Sequence, residues 1–141
     1  SFDNGSEMSA PKTAGTVTVE GKTNSSKLTF AWAGSVVDVT LPAKYNANGT
    51  QTNNAATISG DPGATAEFPF SIELEFPKND TIEEVVRTLK VTANGGQAAQ
   101  IAIKQAAGDA TLSVSPAEIT IPQSGSAVSV NVTSNTSWTA A

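Results

Sequence analysis

The amino-acid sequence predicts an all-β fold: antiparallel sheets packed face to face, about seven short strands, and behind them the opening strands of a second such unit. Three observations predict it. Phe68, Phe70, Ile72, Leu74 and Phe76 recur at every second position, with Pro69, Ser71, Glu73 and Glu75 between them. A period of two means a strand with one buried face and one wet face. The residue mix is rich in Thr, Ser, Asn, Ala, Gly and Val, with only 15% charged residues, which suits strands and turns better than helices. Finally, residues 27–41 (KLTFAWAGSVVDVTL) return without a gap as residues 118–132 (EITIPQSGSAVSVNV), with Thr29, Gly34, Ser35, Val37 and Val39 identical to their partners.

Composition bounds the function. The chain has 141 residues, no Cys and no His, and a formal charge of −5. No disulfide framework and no thiolate metal site is available. Eight Lys and Arg are too few and too scattered to follow a nucleic-acid backbone. No apolar run approaches the ~20 residues of a membrane helix, so membrane insertion is not expected. The first ten residues, SFDNGSEMSA, show no signal-peptide pattern.

Taken in order, residues 1–13 are small and polar and predict a flexible leader. Residues 14–107 predict one complete module. TVTVE at 16–20 is its first strand. Leu28, Phe30 and Trp32 share the inner face of the next, and Val37, Val39 and Leu41 point inward after the Gly34 turn. Pro42 ends that run. Residues 43–54, AKYNANGTQTNN, predict a long polar loop with an Asn48-Gly49 turn signal. Residues 55–59 suggest a short strand, and Gly60-Asp61-Pro62-Gly63 a turn. The 68–76 strand follows, with Pro69 placing its start at an edge or bulge. Residues 78–84 predict one helical turn capped by Thr81 with Glu84. Residues 87–93 and 97–105 predict a hairpin around Asn94-Gly95-Gly96, with Leu89, Val91, Ile101 and Ile103 inward. Residues 106–110 predict a linker, and 108–141 as a whole the linker and first strands of a second module. The predicted core is Val17, Val19, Leu28, Phe30, Val37, Val39, Phe70, Ile72, Leu74, Leu89, Val91, Ile101 and Ile103.

Residues 111–141 contain LSVSP, an apolar-Thr-apolar strand, Ser-Gly, alternating valines, then Ser-Asn followed by Ser-Trp. In that order the motifs resemble the opening of a BACON domain. That family is an immunoglobulin-like module of exported Bacteroidetes proteins and of their phages. FSIELEF, Arg87-Thr88, the Asn-Gly-Gly turn and IAIKQ resemble its closing half. The middle of the first module departs from the family, whose Trp after Ser-Asn is replaced by the polar 43–54 stretch. The resemblance implies an immunoglobulin-like antiparallel β-sandwich at the cell surface or outside the cell, acting as a spacer and adhesion module with mucin glycans or neighbouring modules as partners. The alternative it implies is a structural virion protein, a capsid decoration or fibre subunit of a Bacteroidetes-infecting phage. It carries no residue-level binding motif onto this chain.

The candidate chemistry is sparse. Without His or Cys, and without a Gly-x-Ser-x-Gly elbow, nucleophilic catalysis has no support and no enzyme is expected. Glu73 and Glu75 lie ~7 Å apart by strand rise, within the range of paired glycosidase carboxylates. They share one environment, so solvating an outer face is the better reading. Asp80, Glu83 and Glu84 with Asn79 offer oxygens to calcium at no recognised spacing; neither a metal site nor a cofactor is expected. For ring stacking on a sugar, Trp32 and Trp138 read as core. Tyr45, among the amides of Asn46, Asn48, Gln51 and Asn53, is the candidate glycan contact.

Overall fold

The computed structural model describes residues 1–59, 66–115, 120 and 123–139. Its strands are β1 (Glu7–Ala10), β2 (Gly15–Thr23), β3 (Leu28–Ala33), β4 (Lys44–Ala47), β5 (Thr50–Asn53), β6 (Phe68–Phe76), β7 (Val85–Ala93), β8 (Ala98–Gln105), β9 (Leu112–Ser115) and β10 (Asn131–Ser134). Two four-stranded sheets, in the orders β2-β6-β4-β5 and β1-β8-β7-β3, form an immunoglobulin-like sandwich; β9 and β10 pair separately. No described residue is helical. The predicted turn at residues 60–63 lies outside the described residues.

The two alternating faces meet in the middle. Phe68, Phe70, Ile72, Leu74 and Phe76 of β6 are all buried, as are Val17 and Val19 of β2, Leu28 and Phe30 of β3, Leu89 and Val91 of β7, and Ile101 and Ile103 of β8. Each such side chain contributes ~1.5–3 kcal/mol on leaving water. The longest register, Gly15↔Phe76 through Thr23↔Phe68, holds β2 against β6. Asn48 N–H donates to the Pro69 carbonyl at 2.9 Å. Proline cannot return that bond, so the β4–β6 pairing stops at Ala47↔Phe70.

The predicted leader is part of the sandwich. Phe2 is buried, bridges Gly21 at the edge of β2, and packs edge-on to Phe70 with ring centroids 6.1 Å apart. Asp3 N–H donates to Glu20 O at 2.9 Å. The chain then crosses to the other sheet, where β1 runs parallel to β8 from Glu7↔Ala102 to Ala10↔Gln105. Gly21 is required here, because a Cβ would collide with the Phe70 ring and the Ser1 carbonyl. Four residues of parallel edge strand carry no readable periodicity, which is why composition alone suggests a free leader.

The stretch after β3 also departs from expectation. Residues 34–41 form no strand, and Val37 is 95% exposed. Val36, Val39 and Leu41 pack on the core instead. Two interactions set this path: the Trp32 indole N–H donates to Val39 O at 3.0 Å, and Asp38 is drawn to Arg87. Consequently the two copies of the 15-residue repeat differ where both are described, for Val132 lies in β10 whereas its counterpart Leu41 lies in a loop. Ile119 and Ile121 of the second copy lie outside the described residues.

The 43–54 stretch is a hairpin, β4–β5, with Asn48 at φ 50° and Gly49 at φ 82°. Positive φ at both central residues is the tight turn that matches strand twist. Beyond it, residues 54–58 cover the open edge of β3. Phe30 N–H donates to Asn54 Oδ1 at 2.8 Å and Asn54 Nδ2 donates to Phe30 O at 3.0 Å, so one side-chain amide replaces a strand's peptide group. Only Thr57, bridged to Lys27, is strand-like in the expected 55–59 segment. The β7–β8 turn places Gly96 alone at positive φ, 87°, the three-residue form rather than one needing positive φ at Asn94-Gly95.

A polar cluster sits at the end of the core. Arg87 occupies an inward position of β7 and is 4% exposed. Its guanidinium donates to Asp38 through Nε at 3.1 Å and Nη2 at 2.5 Å, and to Gln105 Oε1 at 2.9 Å. It lies 4.7 Å from the Phe76 ring centroid. Gln105 Nε2 in turn donates to Pro77 O at 2.7 Å. Buried charge is tolerated because each of the three guanidinium nitrogens donates to a partner.

Residues 78–84 form no helical turn. Buried Asn79 organises them: its Oδ1 accepts from Thr81 N–H at 3.0 Å, and its Nδ2 donates to Glu83 O and Ala106 O. Beyond the sandwich, β9 and β10 pair antiparallel, Leu112↔Ser134 to Ser115↔Asn131. Leu112, Val114, Val128, Val130 and Trp138 remain exposed there, so Trp138 is not a core residue in this chain.

Candidate functional site

The outer face of the β2-β6-β4-β5 sheet carries a polar groove. Alternation on β6 turns Ser71, Glu73 and Glu75 outward as Ile72 and Leu74 turn in. The same alternation on β4 turns Lys44 and Asn46 outward, and on β5 it exposes Gln51. Together with Pro42, Ala43 and Tyr45 these line an open groove of about 490 Å³. Its chemistry is two amides, two carboxylates, one ammonium and one hydroxyl, a set suited to hydrogen-bonding a polyol. Part of that capacity is committed. Asn46 Oδ1 accepts from Gly49 N–H at 2.9 Å, and Thr16 Oγ1 donates to Glu75 Oε1 at 2.5 Å.

Of the predicted contacts, the structure brings Tyr45, Asn46 and Gln51 to the groove. Asn48 forms the turn above it, and Asn53 is exposed on β5 outside the lining. Tyr45 lines the groove, but its ring turns inward: the residue is 2% exposed, with the ring 4.9 Å from the Phe30 centroid, so the ring offers no open face for stacking on a sugar. The reason is periodicity hidden among polar neighbours: Tyr45 and Ala47 are the inward pair of β4, while Lys44 and Asn46 face out. Burial pushes the Tyr45 phenol above its usual range, an effect the nearby Leu28 backbone partly offsets. The hydroxyl nevertheless completes no hydrogen bond.

From sequence, Glu73 and Glu75 read as a solvated strand face in preference to a carboxylate pair, and not as groove residues. Facing them from β4 required the hairpin that was read as a loop. The suggested calcium oxygens do not assemble, since Asn79 Oδ1 already accepts from both the N–H and the hydroxyl of Thr81. Among the described residues no cluster of three or more metal-ligating side chains exists. None of their segments is a helix long and apolar enough to cross a membrane.

The fold and this face define an all-β module with an immunoglobulin-like sandwich at its centre and a polar outer groove. No protein-family model matches the chain, and no curated protein matches its sequence.

Proposed function

We propose that this chain is a non-catalytic, surface-exposed module, a spacer and adhesion domain that touches glycans through the β4–β5–β6 outer groove. The observation that carries the spacer reading is the placement of the two ends of the sandwich. Ser1 lies against Lys22. Residues 106–109 lie against Ala10, Lys12 and Thr81 at the opposite end. The intervening length of β2 spans on the order of 25 Å. A module threaded end to end holds its neighbours apart. The extracellular setting rests on the BACON-like motifs of the sequence, and the glycan contact on the amides and carboxylates of the groove.

Two measurements test it. Spin labels at Ser1 and Ala107 should report a distance beyond about 20 Å; a short distance would remove the spacer. Binding to a mucin-glycan array should be lost in an Asn46→Ala/Gln51→Ala variant that keeps its β-rich circular dichroism. A blank array for the unaltered chain would remove the glycan role.

A second reading keeps the fold and changes the role to a structural virion subunit. The exposed Leu112, Val114, Val128, Val130 and Trp138 favour it, because large apolar side chains left open to water suit contact with another protein. Light scattering separates the two: a monomer supports the spacer, a stable trimer or larger assembly the virion subunit.

A further inference from the structure

We propose that Asn135 is a joint lock that holds the sandwich and the β9–β10 strand pair as one rigid body. The inference deepens the spacer reading, but its geometry stands apart from it. The residues between the two units, 106–111, read from sequence as a linker. In the structure their backbone groups are fastened at successive points. Ala106 N–H donates to Ala10 O at 3.0 Å and Gly108 N–H to Thr81 O at 2.7 Å. Ala106 O accepts from buried Asn79. Gly108 sits so close to the Asn79 and Thr81 carbonyls that any side chain would overlap them. Lys12 pairs with Asp109 at 2.5 Å.

Asn135 completes the connection from the other side. Its Nδ2 donates to Asp80 O of the sandwich at 2.7 Å and to Asp109 O of the connecting segment at 2.8 Å. Its Oδ1 accepts from Thr111 N–H at 2.8 Å. Ser134 Oγ adds a bond to Thr111 O at 2.7 Å. One planar amide thus ties three segments with its two donors and one acceptor, each directed at a different backbone group. Only Asn supplies that set at that reach: Asp has no donor, and Ser has one. An ordinary solvated linker makes none of these bonds, and its two units reorient independently.

The lock predicts a specific loss in the Asn135→Asp variant. The carboxylate keeps the acceptor for Thr111 N–H but loses both donors, and it meets the Asp80 and Asp109 carbonyls with its own lone pairs. Backbone amide relaxation reads the result on the full chain. In the unaltered chain, the strands of the sandwich, β1 to β8, and the pair β9 and β10 should share one rotational correlation time. In Asn135→Asp the value for β9 and β10 should fall about twofold below that of the sandwich, with the strand pair retaining its dispersed shifts. Two different correlation times in the unaltered chain would overturn the proposal. So would a single shared time in the variant. Loss of the β9–β10 shifts in the variant would also overturn it, by making Asn135 a determinant of the hairpin rather than of the joint. A Ser134→Ala control, which removes only a bond at the end of the β9–β10 pair and leaves Asn135's contacts to Asp80 and Asp109 intact, should keep the shared time; its loss would overturn the assignment to Asn135. A flexible joint would leave the mucin-array result untouched, so the two failures are distinguishable.

Discussion

Replacing Asp38 by Asn removes a charge from the Arg87 cluster while keeping its shape. Breaking a fully buried ion pair costs ~3–5 kcal/mol. Here Arg87 is 4% exposed but the Asp38 side chain is 49% exposed, so water already screens the carboxylate and the cost must be discounted. Arg87 also keeps Gln105 Oε1 and the Phe76 ring. The expected loss at pH 7 is therefore ~1–2 kcal/mol. With a urea m-value of ~2 kcal/mol/M, the middle of the usual range, the unfolding midpoint should fall by roughly 0.5–1 M. The pH dependence gives a sharper signature. The Arg87 hydrogen bond, opposed by partial burial and aided by the guanidinium charge, holds the Asp38 carboxyl below its usual range. A folded-state pKa depressed below the unfolded value, ~3.9, means the folded chain binds fewer protons there. That stabilisation is present above the unfolded pKa and disappears as pH falls through the folded one. The gap between the unaltered chain and Asp38→Asn should thus close as urea titrations move from pH 7 towards pH 3. A gap of constant size across that range, or no gap at pH 7, would refute the assignment of Asp38 as the charge partner of Arg87.

Other consequences can be checked by thermal or chemical unfolding. Tyr45→Phe removes a buried hydroxyl that makes no hydrogen bond, so stability should hold or rise by up to ~1 kcal/mol, and any glycan binding should persist. Phe2→Ala should cost ~2–4 kcal/mol; a loss within experimental error would mean that the N-terminal segment does not seal the core. Val37→Ser should change stability by less than ~0.5 kcal/mol, because the side chain touches water rather than the sandwich.

What the sequence made legible depended on how much local pattern each element carries. The nine-residue strand β6 announces itself because five large apolar residues alternate without interruption. Every predicted core residue except Val37 is buried. Val37 failed because Val36-Val37-Asp38-Val39 fits either face, and a contact from Asp38 to Arg87, 49 positions away, decides between them. The same contact was invisible from the other end: Arg87 sits in the inward series with Leu89 and Val91, where an arginine reads as a strand opening rather than as a buried cation. The candidate site was half legible. Asn46 and Gln51 were singled out, yet Tyr45 drew attention for a ring that packs inside. A strand only four residues long, with Thr52 as the inward member of its partner, offers too few apolar positions for its period to show.

The pairing of β1 with β8 has a consequence during synthesis. Glu7 meets Ala102, a residue made about 95 positions later. At ~5–20 residues per second, β1 therefore waits several seconds or more on the ribosome for its partner to exist. Through that interval β1 stays unpaired, and the last strand of the sandwich to emerge is the one that lets it take its place.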